Sequence, residues 1–242
     1  MKINLFNSED EVLEGLANYF VATAKKSIED HGQFSVALSG GNSPKKLYEL
    51  LASDKFKGQV DWKKVHFFFG DERYVPHNDP QSNYLMAKKA LLEPLGLSYR
   101  QIFPVNTSVS PDEAAARYTN DINLYFAGFD PRFDLVLLGL GDNSHTASLF
   151  PHTSVLTDKT ASAKAVFLND QQVYRITLTA PLINKAHHIA YLVYGAGKAE
   201  AVHHVIEDKK DIENYPAQLI KPDDGDLQWF LDHDAASMLT NK

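Results

Sequence analysis

The residues that could do chemistry fall in three loops and two later basic positions. FDLVLLGLGDNSHTASLFP, from Phe133 to Pro151, runs from an apolar strand into a glycine-studded turn and delivers His145 among Asp142, Asn143, Thr146 and Ser148. A histidine so placed titrates near neutrality and suits general-base work, worth roughly 10²–10⁴-fold in rate; a hydrogen-bonded structural histidine is the other reading. In LSGGNSP, Gly40 and Gly41 let the backbone approach an anion. Ser39, Asn42 and Ser43 add polar groups, and the helix that follows adds oriented amides. This is a phosphate cradle, or else an ordinary strand-to-helix turn that uses glycine for positive φ. GDERYVP sets Asp71, Glu72 and Arg73 directly after the apolar VHFFF, where charge is costly unless paired or held in a cleft. Arg73 could grip an anionic or carbonyl oxygen and Asp71 could orient a water or a side chain; a solvated loop with a local ion pair would read the same. Arg175 lies within the strand-like YRITLT and Lys198 follows YGAG at a helix start. Both suit phosphate capture, one as a fork and one as a point charge, and both could equally be surface cations.

Several other chemistries are excluded or weakly supported. Gly139 and Gly141 form a G-x-G after a strand, but Ser144 fills the third glycine position of a dinucleotide fingerprint. LSGGNSP is not a Walker A loop, and no G-x-S-x-G elbow exists for a serine hydrolase. The pairs His187-His188 and His203-His204 lack the H-E-x-x-H arrangement of a zinc helix. Zero cysteines remove disulfides, thiolate metal sites and cysteine nucleophiles. No metal site is expected.

The elements that must position these loops can be read from periodicity and punctuation. Ser8 and Glu11 have capping-box spacing, and Val12, Leu16, Tyr19 or Phe20, and Ile28 recur at helical intervals up to His31 and Gly32. FSVAL predicts a buried strand, and KKLYELL a helix with Pro44 near its first position. VHFFFG predicts a strand ended by DERYVP, and SNYLMAKKALL a helix stopped by Pro94 and Gly96. Ser110, Pro111 and Glu113 predict another capping box, opening a helix through Phe126. After the strand Phe133 to Leu138, KAVFL, YRITLT and HIAYLVYG read as strands. Helices are expected after Pro181, in GKAEAVHHVIED and near Leu227 to Met238. Strands separated by helices favour a Rossmann-like α/β fold, a mainly parallel sheet covered on both faces, with ligands at the carboxyl ends of its strands.

The bulk composition sets the boundaries. A chain of 242 residues with 44% hydrophobic content suits a single α/β domain over residues 1–242. Its 24 basic and 31 acidic residues give a formal charge of -7, which argues against an electrostatic grip on nucleic acid or membrane lipid. Any bound anion must be held by a local site. MKINLFNSEDEVLEG lacks a secretory signal pattern, and no stretch approaches the ~20 apolar residues of a membrane span, so a soluble, cytoplasmic protein is expected.

SGGNSPKKLYELL, FFFGDERYVPHNDPQSNYLMAKKALL, FDLVLLGLGDNSHTASLFP, YRITLTAPLIN and GAGKAEAV stand in the order and spacing of a known family. The chain resembles, over nearly its whole length, the 6-phosphogluconolactonases, in the superfamily shared with glucosamine-6-phosphate deaminases. The resemblance implies a glucosamine-6-phosphate deaminase-like fold. It also implies hydrolysis of 6-phospho-D-glucono-1,5-lactone to 6-phospho-D-gluconate, a step of the oxidative pentose phosphate pathway, without metal or cofactor. His145 matches the histidine that activates water, and Asp71 and Arg73 match the segment lining the site, with Arg73 near the lactone or phosphate oxygens. Ser39, Gly40, Gly41, Asn42 and Ser43 match the phosphate loop, Asn143 a position beside the substrate, and Arg175 and Lys198 basic positions that hold the phosphate. The expected partner is a small phosphorylated sugar lactone, bound by a monomer or weak homo-oligomer. The chain departs from the common G-x-G-x-D-G-H pattern with Asn143 for the aspartate and Ser144 for the glycine. An asparagine can hydrogen-bond but cannot supply the charge that raises a histidine's basicity, so Asp142 would compensate only if the turn is rearranged. A sugar-phosphate isomerase or deaminase, or a non-catalytic sugar-phosphate-binding protein, are the alternatives.

Overall fold

In the computed structural model, which describes residues 1–240, apolar runs bounded by turn residues become strands of two sheets. In chain order the elements are β1 (Lys2–Phe6), α1 (Glu9–His31), β2 (Phe34–Leu38), α2 (Asn42–Leu51), β3 (Val65–Phe69), β4 (Asp71–Arg73), α3 (Asn83–Ala87) and α4 (Pro111–Tyr125). Then follow β5 (Leu135–Leu138), β6 (Ala163–Leu168), β7 (Val173–Leu178), α5 (Ala180–Asn184), β8 (His188–Val193), α6 (Ala199–Ile206) and β9 (Asp226–Asp232). Among the described residues a parallel sheet runs β1-β9-β8-β5-β2-β3, and a smaller antiparallel sheet runs β4-β7-β6.

Side chains alternate across each strand, so the parallel sheet separates two apolar layers. Val36, Leu38, Phe67, Phe69, Leu135 and Leu137 pack with Leu16 and Phe20 of α1 and Leu47 and Leu51 of α2. Ala37, Phe68, Val136 and Leu138 face the opposite way, against Ala114, Tyr118 and Ile122 of α4 and Ile176 and Leu178 of the second sheet. Every residue of β2 and β5 is buried, as expected of parallel strands covered on both sides. No helix among the described residues is long and apolar enough to cross a membrane.

Half of the expected capping box of α1 forms: the Ser8 side chain accepts from the Glu11 amide, but the Glu11 carboxylate accepts from Asn7 N at 2.9 Å rather than from Ser8; Gly32 closes the helix in the left-handed region. Ser110 makes no such bond, so the second expected capping box is absent, and α4 opens on Pro111 with Asp112 and Glu113 against its dipole. SNYLMAKKALL is helical, but its second half, Lys88–Leu92, is a π-turn. The helix expected near Leu227 to Met238 is instead β9, hydrogen-bonded between β1 and β8. Leu227, Trp229 and Leu231 enter one apolar layer, while Phe230 enters the other between the polar Asp226, Gln228 and Asp232; the alternation is present, but Leu227, Phe230 and Leu231 also satisfy helical spacing. Pairing with β9 also makes a strand of the N-terminal KINLF, for which no element was predicted. The strands KAVFL and YRITLT form a separate antiparallel sheet, completed by Asp71–Arg73, which the sequence presents as a loop.

The topology opens a crevice. From β2 the chain moves to β3 on one side, then returns to β5 on the other, making this pair the switch point where ligands collect in open α/β sheets. β2 and β5 pair only through Val36–Leu135 and Ala37–Val136, which leaves their carboxyl ends free to diverge. Gly70 carries the chain from one sheet to the other, its N–H donating to Leu38 O and its carbonyl accepting from Leu178 N, both at 2.8 Å.

Candidate active site

A cleft of about 280 Å³ occupies that crevice, at the carboxyl ends of β2, β5 and β8 and beside β4 and β7. Ser39, Gly40, Gly41, Asn42, Ser43, Asp71, Arg73, His145, Arg175 and Lys198 all line it. Asn143 does not; it turns toward the ring of His145.

The loop after β2 is held from below. The hydroxyl of Tyr48 accepts from Ser39 N at 2.9 Å and donates to Ser39 O at 2.8 Å, satisfying both backbone groups where the sheet ladder ends. Gly41 is the N-cap of α2, no acidic residue sits in the first turn, and the first-turn amides lack intrahelical acceptors. That leaves a partial positive charge facing the cleft. A Cβ on Gly40 would stand 2.0 Å from Oδ1 of Asn83, so only glycine fits there.

Strand geometry sorts the charged segment. Asp71 and Arg73 line the cleft while Glu72 projects to the other side and caps α3, accepting from Asn83 N at 2.7 Å, Tyr84 N at 2.8 Å and Ser82 Oγ at 3.1 Å. Burial pushes the Glu72 carboxyl up, and the amides of Tyr84, Asn83 and Arg73 pull against it. Asp71 is buried and doubly tethered: Ser148 Oγ donates to its Oδ2 at 2.7 Å and Asn83 Nδ2 to its Oδ1 at 3.2 Å. Arg73 and Arg175 lie directly opposite each other on β4 and β7. Like charges in register are unfavourable. Burial, then Arg73, lowers the pKa of Arg175. Their hydrogen bonds go to neutral oxygens, Arg73 to Gln81 O at 2.8 Å and Arg175 to Gln171 Oε1 at 3.1 Å. Among the described residues the arginines salt-bridged to carboxylates are Arg117 and Arg132, not Arg73 or Arg175, so the pair presents positive charge for an anion to meet.

His145 sits in a tight, strained turn. Gly141 N donates to His145 O at 2.8 Å and Ser144 N to Gly141 O at 2.9 Å. Ser144, at the usual glycine position, takes φ 60, and Ala147 and His152 follow at 47 and 60, all in the left-handed region that costs a non-glycine residue about 1–2 kcal/mol. The imidazole stacks on Phe150 at 3.9 Å between centroids, and its Nδ1 lies 2.5 Å from Asn143 Oδ1. Burial lowers its pKa to about 4; Asp71 and Asp142 oppose that shift while Lys198 and Arg175 add to it. Asp142 does not take the place of the missing carboxylate: its Oδ1 pairs with Lys198 Nζ at 2.5 Å across the rim.

Sequence reading missed Tyr48, Asn83 and Phe150, and met Ser148 only as a neighbour of the histidine. Tyr48 lies in a helical segment whose apolar spacing explains it as a core residue, Asn83 reads as an ordinary polar residue at a helix start, and their partners are nine and twelve positions away. Among the described residues no three His, Asp or Glu side chains converge as a metal site.

The model of the family described as glucosamine-6-phosphate isomerases/6-phosphogluconolactonase matches residues 7–229. The chain is similar to a 6-phosphogluconolactonase of Synechocystis sp., 43% identical over 218 residues that cover 88% of each chain. A 6-phosphogluconolactonase of Nostoc sp. is 40% identical over the same share of each. The solved structure of a 6-phosphogluconolactonase from Trypanosoma cruzi superposes with a TM-score of 0.88 at 30% identity, over 99% of this chain and 97% of that one. A monomeric glucosamine-6-phosphate deaminase, at 22% identity and a TM-score of 0.84, shares the fold over 98% of this chain and 100% of its own.

Proposed function

Since the chain belongs to the glucosamine-6-phosphate isomerase/6-phosphogluconolactonase family, we propose that its cleft hydrolyses 6-phospho-D-glucono-1,5-lactone to 6-phospho-D-gluconate. The observation that carries this reading is the meeting, in one cleft, of a neutral imidazole with an unpaired, directly opposed arginine pair and a helix N-terminus. The phosphate docks on the loop Ser39–Ser43, the first turn of α2, Arg175 and Lys198. Binding energy from that remote group fixes the lactone carbonyl beside His145.

His145, with a pKa near 4, is neutral at pH 7. Its Nε2 takes a proton from water as the water oxygen bonds to C1 and the carbonyl electrons move onto oxygen. Arg73 and backbone amides of the turn stabilise that oxyanion. On collapse the bond from C1 to the ring oxygen breaks, and the proton on His145 passes to that oxygen. A bound phosphate dianion raises the basicity of the imidazole above its free-enzyme value. Because δ-lactones hydrolyse unaided in water, the barrier left for the protein is modest and no covalent nucleophile is required. The nearby hydroxyls are engaged in agreement with direct attack by water: Ser148 donates to Asp71, and Thr146 to Gly139 O at 2.8 Å.

One assay separates this reading from its competitors. Lactone loss above the spontaneous rate supports it. Ammonia release from glucosamine 6-phosphate supports a deaminase, and phosphosugar binding without turnover supports a binding protein.

A further inference from the structure

A histidine that acts through Nε2 needs a partner at Nδ1, and both carboxylates near this ring are engaged elsewhere. Asp71 accepts from Ser148 and Asn83, and Asp142 holds Lys198. The atom that meets Nδ1 is Oδ1 of Asn143, which also accepts from the backbone N–H of His145 at 3.4 Å. An amide oxygen only accepts, so Nδ1 carries the proton and Nε2 the lone pair. The ring cannot turn over to exchange its nitrogens. Phe150 stacks on one face at an interplanar angle of 17°, and Gly141 packs so closely that a Cβ there would lie 2.0 Å from both Nδ1 and Cε1.

Resting on the proposed role of His145, we infer that Asn143 is a positioning residue that fixes the Nε2-reactive tautomer while lending no charge, leaving the imidazolium with no anion bonded to it. The charged groups that face the ring divide evenly. Asp71 on β4 and Asp142 in the turn favour the proton; Lys198 ahead of α6 and Arg175 on β7 oppose it. Burial is the largest influence on when the base protonates and those four oppose one another, so a charge placed on the residue bonded to Nδ1 would shift the balance directly.

Asn143 is exposed, so substitutions there leave the apolar core untouched. Asn143→Ala removes the acceptor at Nδ1, lets the proton move to Nε2, and is expected to lower kcat roughly ten- to hundredfold with KM little changed, as loss of the group that fixes a histidine tautomer does. Asn143→Asp is expected to keep kcat and move the acid limb of the rate profile upward by about one pH unit or more, the effect of an opposite charge at contact distance. Nitrogen-15 NMR of the histidine rings should show an unprotonated Nε2 in the unmodified protein and mixed tautomers in Asn143→Ala. An unchanged kcat in Asn143→Ala, a rise in KM alone, or an unmoved acid limb in Asn143→Asp overturns the inference. If His145→Ala keeps full activity, the proposed role of His145 fails instead, and the tautomer spectrum still reports on Asn143 by itself.

Discussion

Burial takes His145 from 6.5 to about 4, and this has a consequence for stability as well as for chemistry. In the unfolded chain the ring binds its proton near 6.5, whereas the folded protein resists that proton down to about 4. Between those values the unfolded state holds more protons, so stability is fully present above 6.5 and is lost as pH falls toward 4. His145→Gln removes this contribution. Denaturant melts between pH 4 and 7 should therefore show a shallower loss of stability for His145→Gln than for the parent. Parallel curves would mean that the ring is solvated. The histidine was legible in the sequence as a polar turn residue with catalytic potential. Its depressed basicity was not, because the desolvating contact with Phe150 depends on how residues 139–152 fold back on themselves.

The loops that carry the site are anchored by side chains from elements that look purely structural. Tyr48 on α2 holds Ser39, and Tyr118 on α4 does the same for Phe69, accepting from its N at 2.7 Å and donating to its O at 3.0 Å. Each tyrosine is buried and supplies a hydroxyl where a strand leaves its ladder. Tyr48→Phe keeps the ring but strands two backbone groups, and should cost about 1–3 kcal/mol. Because Ser39 begins the anion loop, KM should rise as well; thermal melts and steady-state kinetics on the same variant check both. A loss of stability with unchanged KM would separate Tyr48 from the site. Most strands and helices were readable at this scale from apolar runs and punctuation. The failures are informative: β9 alternates as a strand, but its Leu227, Phe230 and Leu231 also fall at i, i+3 and i+4, and β4 is a strand only because β7 comes to meet it.

At the scale of the whole molecule, an acidic chain of net charge -7 concentrates Arg73, Arg175 and Lys198 around one cleft. The convergence of loops at one sheet edge was legible because ligands in open α/β sheets gather at carboxyl ends; the opposed arginines were not, since their register belongs to a sheet the sequence does not announce. Substrate capture should weaken as salt rises, because the Debye length shrinks from about 10 Å at 0.1 M to 3 Å at 1 M. Lys198→Ala should raise KM, leave kcat little changed and reduce that salt dependence; a KM equal to the parent's would remove Lys198 from the phosphate site.

The most direct measurement follows lactone decay, corrected for the spontaneous rate, in the parent and in His145→Ala, with binding of 6-phosphogluconate titrated on both. If His145 is the base, kcat falls roughly 10²-fold or more in His145→Ala while product affinity stays nearly unchanged. A variant that binds poorly yet turns over each bound substrate at the parent rate would contradict that role.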